Sequence, residues 1–389
     1  MVWSKKKKIA CISVGIVLLL AVGYLLLPYY ARQALIHLMP VIDDLEIFHR
    51  HVMHHDASDV WKWPKAADYN SYSLSGEDAA YLDSLHTVSF LVIRRDSILF
   101  EDYRDGWNDT LTSNLYSATK TIVGLLTGVA LDEGKIHSLD DKVSRYLPIY
   151  NKGVQADVTL RHLLTMSGGM AWDESYASLF SVTTQGYYGN DLYGLVTGLE
   201  VTERPGVQFS YRSGETQLLA FVLEAATGQT LSDYAEEKLW KPMQAERNAY
   251  WLLDKENGDE KAFCCFHTTA RDVARLGSLL LHYGNWRGKQ LVSPAYMDEM
   301  LRPVSYLKDQ WGKDALSYYG FQVWLMDYRG ETVPCMRGML GQYIYALPSE
   351  DAVVVRLGRR RSDEYVGPFT TDMTRYLDIA MRILEGNQP

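Results

Sequence analysis

The sequence predicts an α/β protein: a mixed, largely antiparallel sheet flanked by helices, an all-helical lobe beside it, and one N-terminal transmembrane helix. Three observations carry this. Strand-like apolar runs occur near residue 90 and again between residues 319 and 357, far apart in the chain. Between them, apolar residues recur at helical spacing. Ahead of everything, a lysine-rich tail is followed by a stretch with no charge between Lys8 and Arg32. Strands at both ends of a chain meet in one sheet, because lone strands leave backbone groups unpaired. The helical middle then forms a second lobe, and a pocket is expected in the cleft between the two.

The elements follow in order. Residues 1–8, with Lys5 to Lys8, read as a cytoplasmic basic tail. Residues 9–30 read as a transmembrane signal-anchor, long enough to cross a bilayer. Tyr29 and Tyr30 fall where interfacial aromatics belong, and cleavage after the Ala31 region is the alternative to a retained anchor. The lysines place the N-terminus in the cytoplasm and the body outside it, in periplasm or extracellular space. Residues 31–75 read as a polar juxtamembrane connection. It holds His49, His51, His54 and His55, but too few acidic companions to favour a metal site. An amphipathic helix is expected over 77–86, then strands over 88–93 and 98–101 about a turn. Helices follow over 121–130, 159–165, 216–227 (closed by Gly228), 231–239 and 269–283 (capped by Thr268 or Thr269). Strands are expected over 319–326, 342–347 and 352–357, and a last helix over 371–384.

Composition narrows the class. With 389 residues, 47% hydrophobic and 22% charged, a large buried core is available. The net charge of −9 excludes a basic nucleic-acid-binding surface. Cys264, Cys265 and Cys335 read as small buried hydrophobes rather than a disulfide framework.

Ser117-Ala118-Thr119-Lys120 is the stretch that points to chemistry. Ser-x-x-Lys also occurs at Ser4/Lys7 and Ser305/Lys308, but only Ser117 precedes an apolar helical run. On the first turn of a helix this spacing sets hydroxyl and amine on one face. A serine needs an adjacent base, and a desolvated, neutral lysine can serve. A second element, 209–214 (Phe-Ser-Tyr-Arg-Ser-Gly), follows Pro205-Gly206 in a loop. Tyr211 and Ser213, two apart in extended chain, project together. Tyr211 is then placed to relay a proton. The third, 337–342 (Arg-Gly-Met-Leu-Gly-Gln), leads into an apolar strand. Glycine there lets backbone approach a ligand, so N–H groups around Gly338, Met339 and Gly341 are candidate oxyanion donors beside that of Ser117.

Ser-x-x-Lys, Tyr-x-Ser and a glycine-containing strand, in that order, resemble the serine β-lactamase and penicillin-binding-protein superfamily. Residues 163–169 (Leu-Leu-Thr-Met-Ser-Gly-Gly) with 172–174 (Trp-Asp-Glu), 205–227, and 268–277 (Thr-Thr-Ala-Arg-Asp-Val-Ala-Arg-Leu-Gly) are similar to segments of class C-like hydrolases. Their character is that of the esterase and 6-aminohexanoate-dimer hydrolase branch. The resemblance implies a β-lactamase/transpeptidase-like hydrolase domain over 76–389, an acyl-enzyme on Ser117, and Lys120 and Tyr211 as the proton-transfer pair. It implies neither metal nor organic cofactor. It also suggests Ser213, Gly338, Met339 and Gly341 as substrate-binding or oxyanion groups, His267 in the pocket wall and Trp172 as a lid. Two departures bear on substrate. Met336-Arg337-Gly338 stands where Lys or His, Thr or Ser, then Gly is usual, and Ser213 stands where Asn is commoner. Both favour simple linear amides or esters over β-lactams. The expectation is a membrane-anchored serine hydrolase of small amide, ester or peptide substrates. The alternatives are a catalytically idle module that binds cell-wall fragments or a partner, and a weak β-lactamase or D-Ala carboxypeptidase.

Overall fold

The computed structural model describes residues 5–386. Six antiparallel strands form its main sheet, in the order Ser97–Tyr103, Thr87–Arg94, Ala352–Gly358, Gln342–Leu347, Glu331–Gly338 and Trp324–Tyr328. N- and C-terminal strands therefore lie side by side, with Val92 opposite Val354 and Tyr345 opposite Val354 on its other edge. The central strands read as unbroken apolar runs because both faces are covered. Ile344 and Val353 meet the Ala270–Leu281 helix at Gly277, where any Cβ would lie within 3 Å of both. Tyr343 and Phe90 pack their rings, tilted, against Tyr376 of the Thr371–Leu384 helix on the opposite face.

Three elements differ from expectation. The strand expected over 319–326 begins only at Trp324, because Gln322 takes a positive φ and turns the chain. The strand Glu331–Gly338 was masked in the sequence by Pro334. In the sheet its neighbour Gln342–Leu347 pairs only from Cys335 onward, so the missing N–H interrupts no ladder there. A second sheet, ordered Arg50–Met53, Ala249–Leu252, Phe266–Thr268, Ser113–Asn114, is built of strands too short to show periodicity.

The segment 31–75 is more than a connection. Ile42, Met53 and Trp63 are buried in the body. Arg50–Met53 is an edge of the small sheet, with His51 opposite Trp251. Its polar residues find distant partners: His51 Nδ1 lies 2.8 Å from Glu260 Oε1 and His55 Nδ1 lies 2.7 Å from Asn248 Oδ1. The Lys5–Leu26 helix contains an 18-residue window with a mean hydropathy of 2.7 and exposes its apolar side chains. Across Leu27 and Pro28 the chain enters the helix Tyr29–His37, which packs on the helix Val182–Tyr188. The Tyr188 hydroxyl donates to Leu38 O at 3.0 Å.

The helical lobe centres on Ser213–Thr227, buried from Ser213 to Leu223 and ended by Gly228 at φ 74°. Lys120–Asp132 and Leu160–Leu164 pack against it. Cys264 and Cys265 are joined to each other in a disulfide, which corrects their reading as unbridged hydrophobes; Cys335 is a free buried thiol.

Candidate active site

Ser117 sits in a 3₁₀ turn, Tyr116–Thr119, that runs into the Lys120–Asp132 helix. Tyr116, at φ 47°, makes the turn sharp, and its N–H is held by Asn114 Oδ1 at 2.9 Å. A strained residue beside a reactive side chain persists only where its surroundings fix it. Lys120 Nζ lies 3.0 Å from Ser117 Oγ and donates to Phe263 O at 2.7 Å. Lys120 is 1% exposed. Burial brings its ammonium down from 10.5 to about 8, against the opposing field of Glu174.

Tyr211 completes the group. Its ring centroid is 5.0 Å from Lys120 Nζ, and the ring rests on Trp324 at 5.3 Å. Burial and the Glu174 carboxylate push the phenol well above 10, while the Ser117 hydroxyl, Arg337 and Arg361 pull it the other way. It therefore holds its proton at neutral pH.

Ser117 stands between two cavities. One, of about 260 Å³, is walled by Leu38, Met39, Leu179, Tyr187, Phe263 and Cys264, with Ser213 and Met339 at the serine. The other, of about 380 Å³, is walled by Glu174, Tyr211, Trp324, Arg337, Arg361 and Tyr365. Arg337 lies over Trp324 at 4.8 Å and donates to Pro368 O at 2.7 Å.

Among the residues the sequence singled out, Ser117, Lys120, Tyr211, Ser213, Gly338 and Met339 meet at this crevice. Gly338 is there because backbone approaches backbone: a Cβ on it would lie 2.1 Å from Leu115 O. Three residues are elsewhere. His267 is fully buried, opposite Tyr250 and Asn114, with Nε2 3.1 Å from Asp44 Oδ1; it lines neither cavity. Trp172 is no lid. It is buried one layer behind the wall, its ring 5.6 Å from that of Phe263. Gly341 turns away at φ 86° and accepts from Arg356 Nη1 at 2.8 Å.

Two carboxylates were missed as site residues. Glu174 accepts from the Ser213 N–H and from Tyr176 Oη, the latter at 2.6 Å. A carboxylate suits a helix N-terminus, and its charge acts on both Lys120 and Tyr211. Its place in the Trp-Asp-Glu segment was the available signal. Glu215, buried behind the site, accepts from the Gly168 N–H at 2.9 Å. Burial raises it to about 7, opposed chiefly by that bond and by Arg212. Nothing in the sequence marked it.

Residues 79–367 match the family described as Beta-lactamase. A 6-aminohexanoate-dimer hydrolase of Paenarthrobacter ureafaciens is 28% identical over 298 residues, 71% of this chain and 73% of that protein. A Bacillus anthracis structure, provisionally named a 6-aminohexanoate-dimer hydrolase, superposes with a TM-score of 0.74 at 21% identity, covering 88% of this chain and 92% of its own. A family VIII carboxylesterase superposes with a TM-score of 0.62 at 16% identity, covering 83% and 99%.

Proposed function

The chain belongs to the beta-lactamase family, and from that premise we propose that it is a membrane-anchored serine hydrolase. It cleaves linear amide or ester bonds through an acyl-enzyme on Ser117. One observation carries this: a buried lysine amine, brought down to about 8, lies 3.0 Å from the serine hydroxyl.

In the first half-reaction, neutral Lys120 takes the Ser117 proton as Oγ attacks the carbonyl carbon. The N–H groups of Ser117 and Met339 receive the oxyanion. The C–N or C–O bond breaks, and the proton passes through the Tyr211 hydroxyl to the leaving amine or alkoxide. Water then attacks the acyl carbon, gives its proton to the same pair, and frees Ser117. Arg337 is a guanidinium suited to a carboxylate on a linear substrate, in place of the usual lysine or histidine triad. The Lys5–Leu26 helix supports the anchor, with its lysines on the cytoplasmic side.

A fluorophosphonate probe tests the reading. Stoichiometric labelling of Ser117, absent in Ser117→Ala, is expected; no labelling of folded protein overturns it. In a panel of p-nitrophenyl esters, linear amides, D-alanyl peptides and a cephalosporin, esters or linear amides are expected to turn over fastest. A faster cephalosporin refutes the substrate preference.

A further inference from the structure

The wall of the smaller cavity is unusual in its origin. Ala34, Leu38, Met39 and Pro40 line it, and all four come from the segment directly after the Lys5–Leu26 helix. At 1.5 Å per helical residue, Leu38 is at most about 14 Å along the chain from Tyr29, where that segment starts. The cavity thus opens close to the plane in which an anchored chain meets the bilayer surface.

Its rim is apolar and uncovered. Leu38 is 71% exposed and Met39 62%, and Leu35 and Ile36 extend the patch along the Tyr29–His37 helix. A contiguous exposed apolar surface of this kind marks contact with lipid or an apolar ligand. The opposite side of Ser117 has another character. Arg337 and Arg361 face the larger cavity, and among the described residues no carboxylate is within ion-pairing distance of either guanidinium. The nucleophile stands where apolar space meets a charged space that holds two guanidiniums, with the Glu174 carboxylate in the same wall bound to the Ser213 N–H and the Tyr176 hydroxyl.

We propose that the 260 Å³ cavity is an acyl-chain site and that the substrate is a membrane-borne, single-chain amphiphile: an apolar acyl group joined by an ester or amide bond to an anionic leaving group. This rests on the Ser117 reading and adds the substrate class to it. The acyl chain enters from the bilayer side, past Leu38 and Met39. At about 30 Å³ for a water-sized group, the cavity holds roughly eight carbons. The anionic part lies toward Arg337 and Arg361. The acyl carbon bonds to Ser117 Oγ, the bond to the leaving group breaks, and the leaving group departs with the serine proton. Water then supplies the hydroxyl of the free acid.

The test uses the full chain in phosphatidylcholine vesicles. Across p-nitrophenyl esters from acetate to octanoate, kcat/KM is expected to rise at least tenfold, since each buried methylene contributes up to about fourfold. Ala34→Trp fills the cavity and should bring the octanoate-to-acetate ratio near one. A flat series in the parent overturns the acyl site. With octanoyl esters, glycerol phosphate as leaving group should be preferred at least fivefold over glycerol, and Arg361→Gln should remove that preference; equal rates in the parent refute the cationic subsite. A palmitoyl ester, the far half of its chain left in the bilayer while the near carbons fill the cavity, should be cleaved when it shares the enzyme's vesicles and spared when it sits in separate vesicles. Equal cleavage of both overturns the membrane source. Fluorophosphonate labelling, run alongside, separates the two levels: labelling with a flat series defeats this inference alone, and no labelling defeats the hydrolase reading.

Discussion

Lys120 gives the sharpest expectation. Its ammonium is brought down to about 8 by burial beside Ser117. A solvated lysine near 10.5 is neutral to only about 0.03% at pH 7, whereas one at 8 is neutral to roughly 10%. Burial thus raises the fraction of usable base about three-hundred-fold at neutral pH. The sign follows: the active form is the unprotonated one, so activity climbs with pH through about 8 and levels above it. Measured as kcat/KM for a p-nitrophenyl ester between pH 6 and 10, corrected for spontaneous hydrolysis, the gain from pH 6 to the plateau should be about a hundredfold. Glu174 opposes the shift, so Glu174→Gln should move the rising limb to lower pH. Lys120→Arg, whose guanidinium stays charged, should be inactive throughout the range. A profile flat from pH 6 to 9, a limb centred above pH 10, or a limb that survives in Lys120→Arg refutes this role.

Other expectations follow from neighbouring residues. Tyr211→Phe should cost a linear amide about 10²–10⁴ in kcat and a p-nitrophenyl ester far less, because nitrophenolate leaves without a proton; equal losses would exclude Tyr211 as the relay. Gly338→Ala forces a Cβ to 2.1 Å from Leu115 O, so activity should fall at least tenfold with a stability loss of about 1–3 kcal/mol in denaturant titration; activity within twofold of the parent would contradict the close approach. Lys261 is buried without a hydrogen-bond partner, over the Phe48 ring at 3.4 Å. Burial brings it to about 7, against Asp44 and Asp254. The unfolded chain therefore holds more protons between pH 7 and 10.5, and stability rises with pH across that window, by up to roughly 4–5 kcal/mol. Lys261→Met should be more stable than the parent at pH 6, with the gap narrowing by pH 9; a gap independent of pH would show that the amine keeps its charge in the fold and overturn the lowered value.

The large sheet and the long helices were legible because they are long and their apolar patterns repeat. Ser117 and Lys120 were legible because three residues of helix set their distance. Tyr211 was legible from a loop placed just ahead of a buried helix. What was hidden depends on partners distant in sequence. Ser113–Asn114 and Phe266–Thr268 are too short to carry a period, and Arg50–Met53 becomes a strand only when Ala249–Leu252 lies beside it. His267 follows the same rule. It is next in sequence to a helix of pocket-like character, but the chain turns it into the interior beside Asp44. The two cysteines were misread because strain in an adjacent pair was weighed without the positive φ that Cys265 adopts.

Asp44 has a wider consequence. It accepts from Asn114 Nδ2 at 3.0 Å and from the Tyr187 hydroxyl, and the same Asn114 holds the N–H of Tyr116, one residue before Ser117. The segment that follows the Lys5–Leu26 helix is thus a keystone under the turn that carries Ser117. A shortened protein lacking the Lys5–Leu26 helix should begin at Leu27-Pro28. Trimming back to residue 76 would remove the stone and let the arch above it sag.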